Sequence, residues 1–272
     1  MIINAAHDFG FVHIPKCAGS TIRQQLRGMD DLDERFFRSL EHPDLGKINA
    51  NHLPLDILDR FYPEDLSALR SVTSYTLVRD PMDRFLSGVA QYVRGGGNDP
   101  GERMEPGQMT PQTALRIAGT IMDHMQETQG LTDHRHTLFM RQAAYVRLHG
   151  TQVIDHVYPV EAINDLMDRL DHQHGLTLER DQVWNPTVTY RVPAMAGGLK
   201  RVKDVARKAL PLSAYARMRN LGVKLFTTKG APALTETLRN DDKVQRFVNS
   251  FYAEDAEIYR AAQAAHPAPQ AA

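Results

Sequence analysis

The stretch "GFVHIPKCAGSTIRQQL", residues 10–26, passes from an apolar run through a knot of small residues into a helical pattern. Residues 8–14 suit a central strand, and a helix opening near Thr21 would carry Ile22 and Leu26 on one face. Between strand and helix stand Lys16, Cys17, Ala18, Gly19, Ser20 and Thr21. A helix N-terminus offers unpaired backbone N–H groups and partial positive charge, so small residues that allow close approach make it an anion site. Ala18 and Gly19 supply that closeness, Lys16 adds a point charge, and the Ser20 and Thr21 hydroxyls can donate hydrogen bonds. A Walker A loop is excluded, because its lysine follows the last glycine and here it comes first. The same residues also read as an ordinary helix start with a lysine nearby.

A second strand-to-helix unit lies at 71–93, "SVTSYTLVRDPMDRFLSGVAQYV". The β-rich run ends at Val78, Asp80-Pro81 makes a turn, and Phe85, Val89 and Tyr92 share a helix face. Arg79 at the strand end and Ser87 in the first turns of the helix could grip one phosphate, the guanidinium in bidentate fashion. Arg79 could instead pair with Asp80 or Asp83. Two anion sites at neighbouring strand ends suit a ligand with charge at both extremities. A third unit, "VIDHVYPV" followed by "EAINDLMDRLDHQHG" with a stop near Gly175, repeats the pattern. Together these units predict an α/β fold, a central parallel sheet flanked by helices with ligands at the carboxyl ends of its strands.

Other readings attach to the same residues. "CAGSTIR" spaces Cys17 and Arg23 as in a phosphatase loop, with a thiolate nucleophile whose pKa a helix N-terminus would depress and with Asp80 as acid. "KINANHLPLDIL" (47–58) predicts a short strand or turn ending in an exposed polar pair, Asn51 and His52, closed by Pro54. His52 is a candidate general base, since an unperturbed imidazole accepts a proton near neutrality, or else a loop histidine capping the turn. His13, on the strand entering the loop, is the second candidate base or a buried residue holding the loop backbone. Glu161 could orient a base or acceptor, or simply favour a helix start.

The bulk of the chain sets limits. With 272 residues, 32 Lys+Arg against 33 Asp+Glu and a net charge of −1, one domain with its own core is expected and no global field draws in nucleic acid. A single cysteine excludes an intrachain disulfide, and pairs such as His134/His136 and His172/His174 lack the cysteine partners of a zinc finger; no metal is expected. The N-terminal "MIINAAHDFGFVHI" resembles a buried strand more than a signal peptide, and no stretch reaches membrane-span length, so a cytoplasmic protein is expected. Residues 94–111, rich in Gly and Pro, predict a mobile loop. Residues 190–235 predict a basic helical insertion, whose 199–220 run is either a solvated face or a patch for the acceptor or an acidic partner. A docking helix carries Val244, Phe247, Val248, Phe251 and Tyr252, and 264–272 reads as a frayed tail.

"FVHIPKCAGST" resembles the 5′-phosphosulfate loop of sulfotransferases, usually HIPKTAGT or a close variant, and "LVRDPMDRFLSGVAQY" resembles their 3′-phosphate motif. The similarity is greatest to the carbohydrate branch that includes heparan 2-O- and chondroitin sulfotransferases and many bacterial relatives. It extends more weakly through "HLPLDIL", "VYPVEAINDLMDRL" and "FVNSFYAEDAEIYR". The resemblance implies a P-loop-NTPase-like sulfotransferase fold with a helical C-terminal elaboration. It implies transfer of a sulfonate group from 3′-phosphoadenosine-5′-phosphosulfate (PAPS) to a hydroxyl of a sugar, polysaccharide or lipid headgroup. It places Lys16 on the breaking S–O bond, His52 as base, and residues 16–21 with Arg79 and Ser87 around the nucleotide. "TKG" at 228–230 faintly resembles a basic loop over the nucleotide, through Lys229. Cys17 stands where threonine is commoner, which removes one hydroxyl donor. Animal members are typically anchored in the Golgi, and the lack of an anchor here points to a soluble bacterial-type enzyme, with peripheral membrane contact still open. A catalytically inert nucleotide-binding protein of the same fold remains the other alternative.

Overall fold

A computed structural model describes residues 1–93, 110–128, 136–180, 188–190, 227–229 and 232–267, with backbone alone for 188–190, 227–229 and 232–234. Its centre is a four-stranded sheet in the order β1 (Ile2–Asn4), β2 (Phe9–Val12), β5 (Thr73–Val78), β8 (His156–Pro159). β2, β5 and β8 run parallel, whereas β1 is antiparallel to β2. The sheet is therefore mixed rather than wholly parallel. The N-terminal stretch expected as one strand is a hairpin, because His7 and Asp8 sit at a turn with Asp8 at φ +54°.

All four residues of β2 are buried, as are Ser74 to Val78 of β5, so both faces of the sheet are covered. At Gly10 the helix α3 (Pro63–Arg70) comes so close that a Cβ would lie 2.7 Å from Leu69. The strand-to-helix units appear where expected. β2 leads to α1 (Ser20–Leu26), β5 to α4 (Pro81–Val93), and β8 to α7 (Ile163–His174), which stops at Gly175 in the left-handed region at φ +67°. Between the first two units a small hairpin, β3 (Ser39–His42) with β4 (Gly46–Asn49), precedes α2 (Leu55–Phe61).

A second apolar cluster lies beside α4. It joins Phe85, Val89 and Val93 to Ile121 and Met125 of α5 (Pro111–Glu127) and to Val244, Phe247, Val248 and Phe251. Those last four belong to α9 (Asp242–Phe251), the expected docking helix, which follows α8 (Pro232–Arg239). Between α5 and β8 the described chain is only partly helical. After α5 come a single turn at Thr137–Phe139, a short α6 (Ala143–Val146) and the hairpin β6 (Arg147–Leu148) with β7 (Thr151–Gln152).

The chain ends in α10 (Ala253–Ala265), whose Ile258, Tyr259 and Ala262 return to the central core. The tail expected from 264 thus begins as helix, and His266 stacks on Tyr158 at 3.8 Å because an apolar partner is available there. Of the loop expected at 94–111, residues 94–109 lie outside the described residues, while Thr110 caps α5 and Pro111 is its first residue; nearly all of the 190–235 insertion also lies outside them. At the margins of the insertion β9 (Val188–Tyr190) and β10 (Thr227–Lys229) pair antiparallel, and α8 begins at Pro232. No described helix is long and apolar enough to cross a membrane.

Candidate functional site

β2 and β5 are parallel neighbours, with Val12 opposite Thr76, so their following loops leave from the same edge of the sheet. The first loop is tightly wound. Lys16 and Ala18 both occupy the left-handed region, at φ +67° and +55°, and Gly19 returns to the right-handed region at φ −58°. Left- and right-handed residues in succession turn consecutive amides to one side, the geometry of an anion-binding nest. Non-glycine residues at such angles are held by their surroundings, here by two buried side chains from elsewhere in the chain.

Arg84 on α4 is one of them. Its guanidinium, 2% exposed, donates to the Pro15 carbonyl at 3.0 Å and to the Leu138 carbonyl at 3.3 Å. Its counter-charge is Asp255 on α10, fully buried and 4.0 Å away. The second is Gln142, whose Oε1 accepts from the Cys17 thiol at 3.1 Å and from the Arg79 N–H at 2.9 Å. Its Nε2 donates to the Arg79 carbonyl at 2.8 Å. The Lys16 loop and Arg79 are thus one side chain apart.

Lys16 Nζ donates to Gln91 on α4 at 2.7 Å. Ser87, half-buried, lies one helical turn before Gln91 on the same face, so the ammonium and the hydroxyl belong to one patch. Arg79 is a third exposed and sits 4.0 Å from Asp83, which also pairs with Arg239. Asp80 caps α4 by accepting from the Asp83 N–H at 2.9 Å, a structural role rather than an acid's.

Cys17 does not fit a nucleophile. Its side chain is buried and burial pushes the thiol up to about 12, the reverse of the depression a phosphatase loop needs. Arg23 is directed elsewhere, donating to Asn51 Oδ1 and lying over the Phe37 ring at 4.7 Å. The Cys17 and Arg23 side chains make no common site. The Cys17 amide is itself engaged with the Ile14 carbonyl at 3.4 Å, and the Thr21 amide with that of Ala18 at 3.1 Å.

His52 ends the single turn Ala50–His52 after β4. Neither it nor Asn51 is exposed, contrary to the sequence expectation; both are half-buried, because Asn51 is held by Arg23 and His52 by the strand end. His52 Nδ1 lies 2.9 Å from the His13 carbonyl, which can only accept. The proton is therefore on Nδ1, and Nε2 keeps its lone pair. Burial above all, with the nearby Arg23 charge, lowers the His52 pKa to about 3 against an upward pull from the His13 carbonyl. The ring is neutral throughout the physiological range.

His13 lies between loop and base. Its ring centroid is 4.4 Å from that of His52, and a Cβ on Gly19 would fall 2.3 Å from its Cδ2. Burial holds His13 neutral, and its Nδ1 is buried with no partner among the described residues. His52 also lines a cleft of about 740 Å³ with Asn49, Lys47, Asp56, Asp59, Arg60 and Phe61. Neither Lys16 nor Arg79 reaches that cleft; His52 stands at its wall, between it and the loop. Glu161 does not approach this group. It follows β8 at the third parallel strand tip and bonds Tyr259, raising that phenol's pKa after the larger effect of burial. Lys229 is in β10, and its side chain lies outside the described set.

Gln142, Arg84, Asp255 and Gln91 were not found from sequence. Arg84 and Gln91 lie within "LVRDPMDRFLSGVAQY" and Asp255 within "FVNSFYAEDAEIYR", but the i+5 spacing of Arg84 from Arg79 gives no sign that it turns inward to Pro15, and Gln142 lies in none of these stretches. Among the described residues no group of three or more His, Cys, Asp or Glu side chains gathers to hold a metal.

Parallel strands thus deliver a nested basic loop and an arginine to one sheet edge, an arrangement chemically suited to an anionic ligand at the strand tips. Residues 1–92 match the model of the Sulfotransferase family, a segment that contains every candidate residue from Lys16 to Ser87. Over this segment the match supports that family and, with it, a transferase. No curated protein and no solved structure matches the chain.

Proposed function

We propose that this chain transfers the sulfonate of PAPS to an acceptor hydroxyl, with Lys16 and the 17–21 loop at the 5′ end, Arg79 and Ser87 at the 3′ end, and His52 as base. The observation that carries the reading is the shared Gln142 amide, which joins the Lys16 loop to Arg79 at adjacent strand tips. The nested loop and the orphaned His13 Nδ1 beside it suit an anionic, hydrogen-bonding ligand. Bound PAPS would supply an activated sulfonate on a phosphate leaving group.

The roles of the side chains follow from their chemistry. Lys16 and the amides of Ala18, Gly19 and Ser20 neutralise the charge that builds on the departing bridging oxygen. His52 Nε2 takes the acceptor's hydroxyl proton as the new S–O bond forms and the bond to the phosphate oxygen breaks in line. The His13 carbonyl holds the imidazole in the tautomer that can do this. The cleft beside His52 is the place for the acceptor. Its mixture of carboxylates, cations and the Phe61 ring suits a polyhydroxylated molecule such as a carbohydrate or the headgroup of a glycolipid.

The test is transfer of labelled sulfate from PAPS to a panel of hydroxyl acceptors. Lys16→Ala is expected to abolish transfer and weaken nucleotide binding. His52→Ala is expected to lower the rate by about 10²–10⁴ while leaving binding of 3′-phosphoadenosine-5′-phosphate (PAP) intact. Binding of PAP by the native chain without transfer to any acceptor would favour a nucleotide-binding protein instead.

A further inference from the structure

We propose that Gln142 sets the distance between the two anion-gripping loops and thereby lets the protein tell a nucleotide phosphorylated at both ends from one phosphorylated at its 5′ end alone. This rests on the assignment of those loops to the two ends of PAPS. Gln142 is fully buried, and the three side-chain bonds it makes all go to the two loops: Cys17 Sγ at 3.1 Å, Arg79 N at 2.9 Å and Arg79 O at 2.8 Å. The orientation of the amide is fixed by its partners, since turning it over would set Nε2 against two donors and Oε1 against a carbonyl.

The residue is itself immobilised. Its own N–H donates to Asp255 at 2.7 Å, and the next N–H, of Ala143, donates to the same carboxylate at 2.9 Å. On the far side of the loop Arg84 holds the Pro15 carbonyl. The peptide carrying Arg79 is therefore pinned to α10 through one amide, and the turn carrying Lys16 hangs from the same oxygen. Both polar groups of the Arg79 peptide end on Gln142, so its loss frees the position of that guanidinium. The Lys16 turn loses the thiol contact that ties it to the Arg79 side but is still held by Arg84 at the Pro15 carbonyl. Loss of Gln142 should then fall on the 3′ end of the ligand far more than on the 5′ end. A side chain that merely filled the core would affect both ends alike.

The experiment compares calorimetric affinities for PAP and for adenosine 5′-monophosphate, which lacks the 3′ group. The proteins are the native chain, Gln142→Met, of similar volume but without the amide, and Cys17→Ala. The native chain is expected to prefer PAP. Gln142→Met should lower the ratio of the two affinities about tenfold, the worth of one to two lost buried hydrogen bonds, with monophosphate binding within about threefold of native. Equal weakening toward both ligands, or an unchanged ratio, overturns the proposal. If Gln142→Met does not fold, Cys17→Ala cuts the loop-side contact with Gln142 in place. A fall of about threefold in the ratio is then expected, and no fall overturns the proposal. A native chain that binds neither ligand refutes the sulfotransferase reading and this proposal with it. A native preference for PAP that survives both substitutions refutes the proposal alone.

Discussion

His52 donates its Nδ1 proton to the main-chain carbonyl of His13 across 2.9 Å, tying the candidate base to the strand end that opens the anion loop. Burial is the largest influence on the ring and the Arg23 charge adds to it, both lowering the pKa, against a smaller upward pull from the His13 carbonyl. An imidazole with a depressed pKa stays neutral as pH falls. The acid limb of the transfer rate should therefore lie well below the pH 6–7 region where an unperturbed histidine would place it. Arg23→Gln removes a positive charge, so the limb should move to higher pH. A rate–pH profile of both proteins checks this, and an unmoved limb would separate Arg23 from the base.

The same burial has a consequence for stability. The unfolded chain binds protons on His13 and His52 below about pH 6.5, whereas the native chain refuses them until far lower. Stability is thus complete above that pH and is lost as pH falls through it, by up to about 1.4 kcal/mol per pH unit for each histidine. Urea unfolding at pH 7.5 and 5.5 should show the fall, and His52→Gln should make it shallower. A slope unchanged by that substitution would mean His52 is protonated alike in both states.

Gly19 owes its place to His13. Its backbone, at φ −58°, would accept any residue, but a Cβ there would lie 2.3 Å from the buried imidazole. Gly19→Ala must displace His13, and with it the ring of His52 4.4 Å away. A loss of about 1–3 kcal/mol on chemical denaturation is expected, together with a fall in transfer rate larger than the fall in PAP affinity. Native stability in that variant would show that the loop yields freely.

How much of this was legible beforehand differs residue by residue. The run from Phe9 to Leu26 announces strand, tight turn and helix, because apolar spacing and small residues are local signals. So do Thr73 to Val93 and the α7 stop at Gly175. The hairpin at the N-terminus was hidden because Ile2–Asn4 and Phe9–Val12 are both short, and the polar His7-Asp8 break between them does not by itself show that the chain folds back to pair the two. Gln142 and Asp255 could not be found at all. Their importance comes from meeting residues 63 to 125 positions away, and a glutamine in "FMRQAAYV" carries no local sign of that. Asn51 and His52 were expected on the surface for the same reason, since the Arg23 contact and the His13 contact that half-bury them join distant parts of the chain.

Cys17 is predicted to be chemically quiet. Its thiol is buried, donates to Gln142, and is pushed up to about 12, so it carries almost no thiolate at neutral pH. A thiol-specific disulfide reagent should leave the native protein unlabelled at pH 8 and titrate one thiol after unfolding. Hydrolysis of p-nitrophenyl phosphate should be absent and unaffected by Cys17→Ser. Rapid native labelling, or hydrolysis lost in that variant, would revive the phosphatase alternative.

Arg84 and Asp255 form a fully buried pair at 4.0 Å, long enough that each relies on main-chain partners as well. Arg84→Met keeps the bulk but strands a buried carboxylate and frees the Pro15 carbonyl. A cost of about 3–5 kcal/mol is expected, as for other buried pairs broken from one side. The pH dependence identifies the cause. Burial already raises the Asp255 pKa and Arg84 opposes that rise, so removing Arg84 lets it rise further. The variant's native state then takes up a proton at a pH where the unfolded chain has none, which stabilises it as pH falls. The deficit relative to native should accordingly be greatest near pH 7.5 and shrink toward pH 5, and Arg84→Met/Asp255→Asn should recover part of it at pH 7.5. A deficit that is constant with pH and unrelieved in the double variant would assign the loss to packing and to the Pro15 contact, not to the stranded charge.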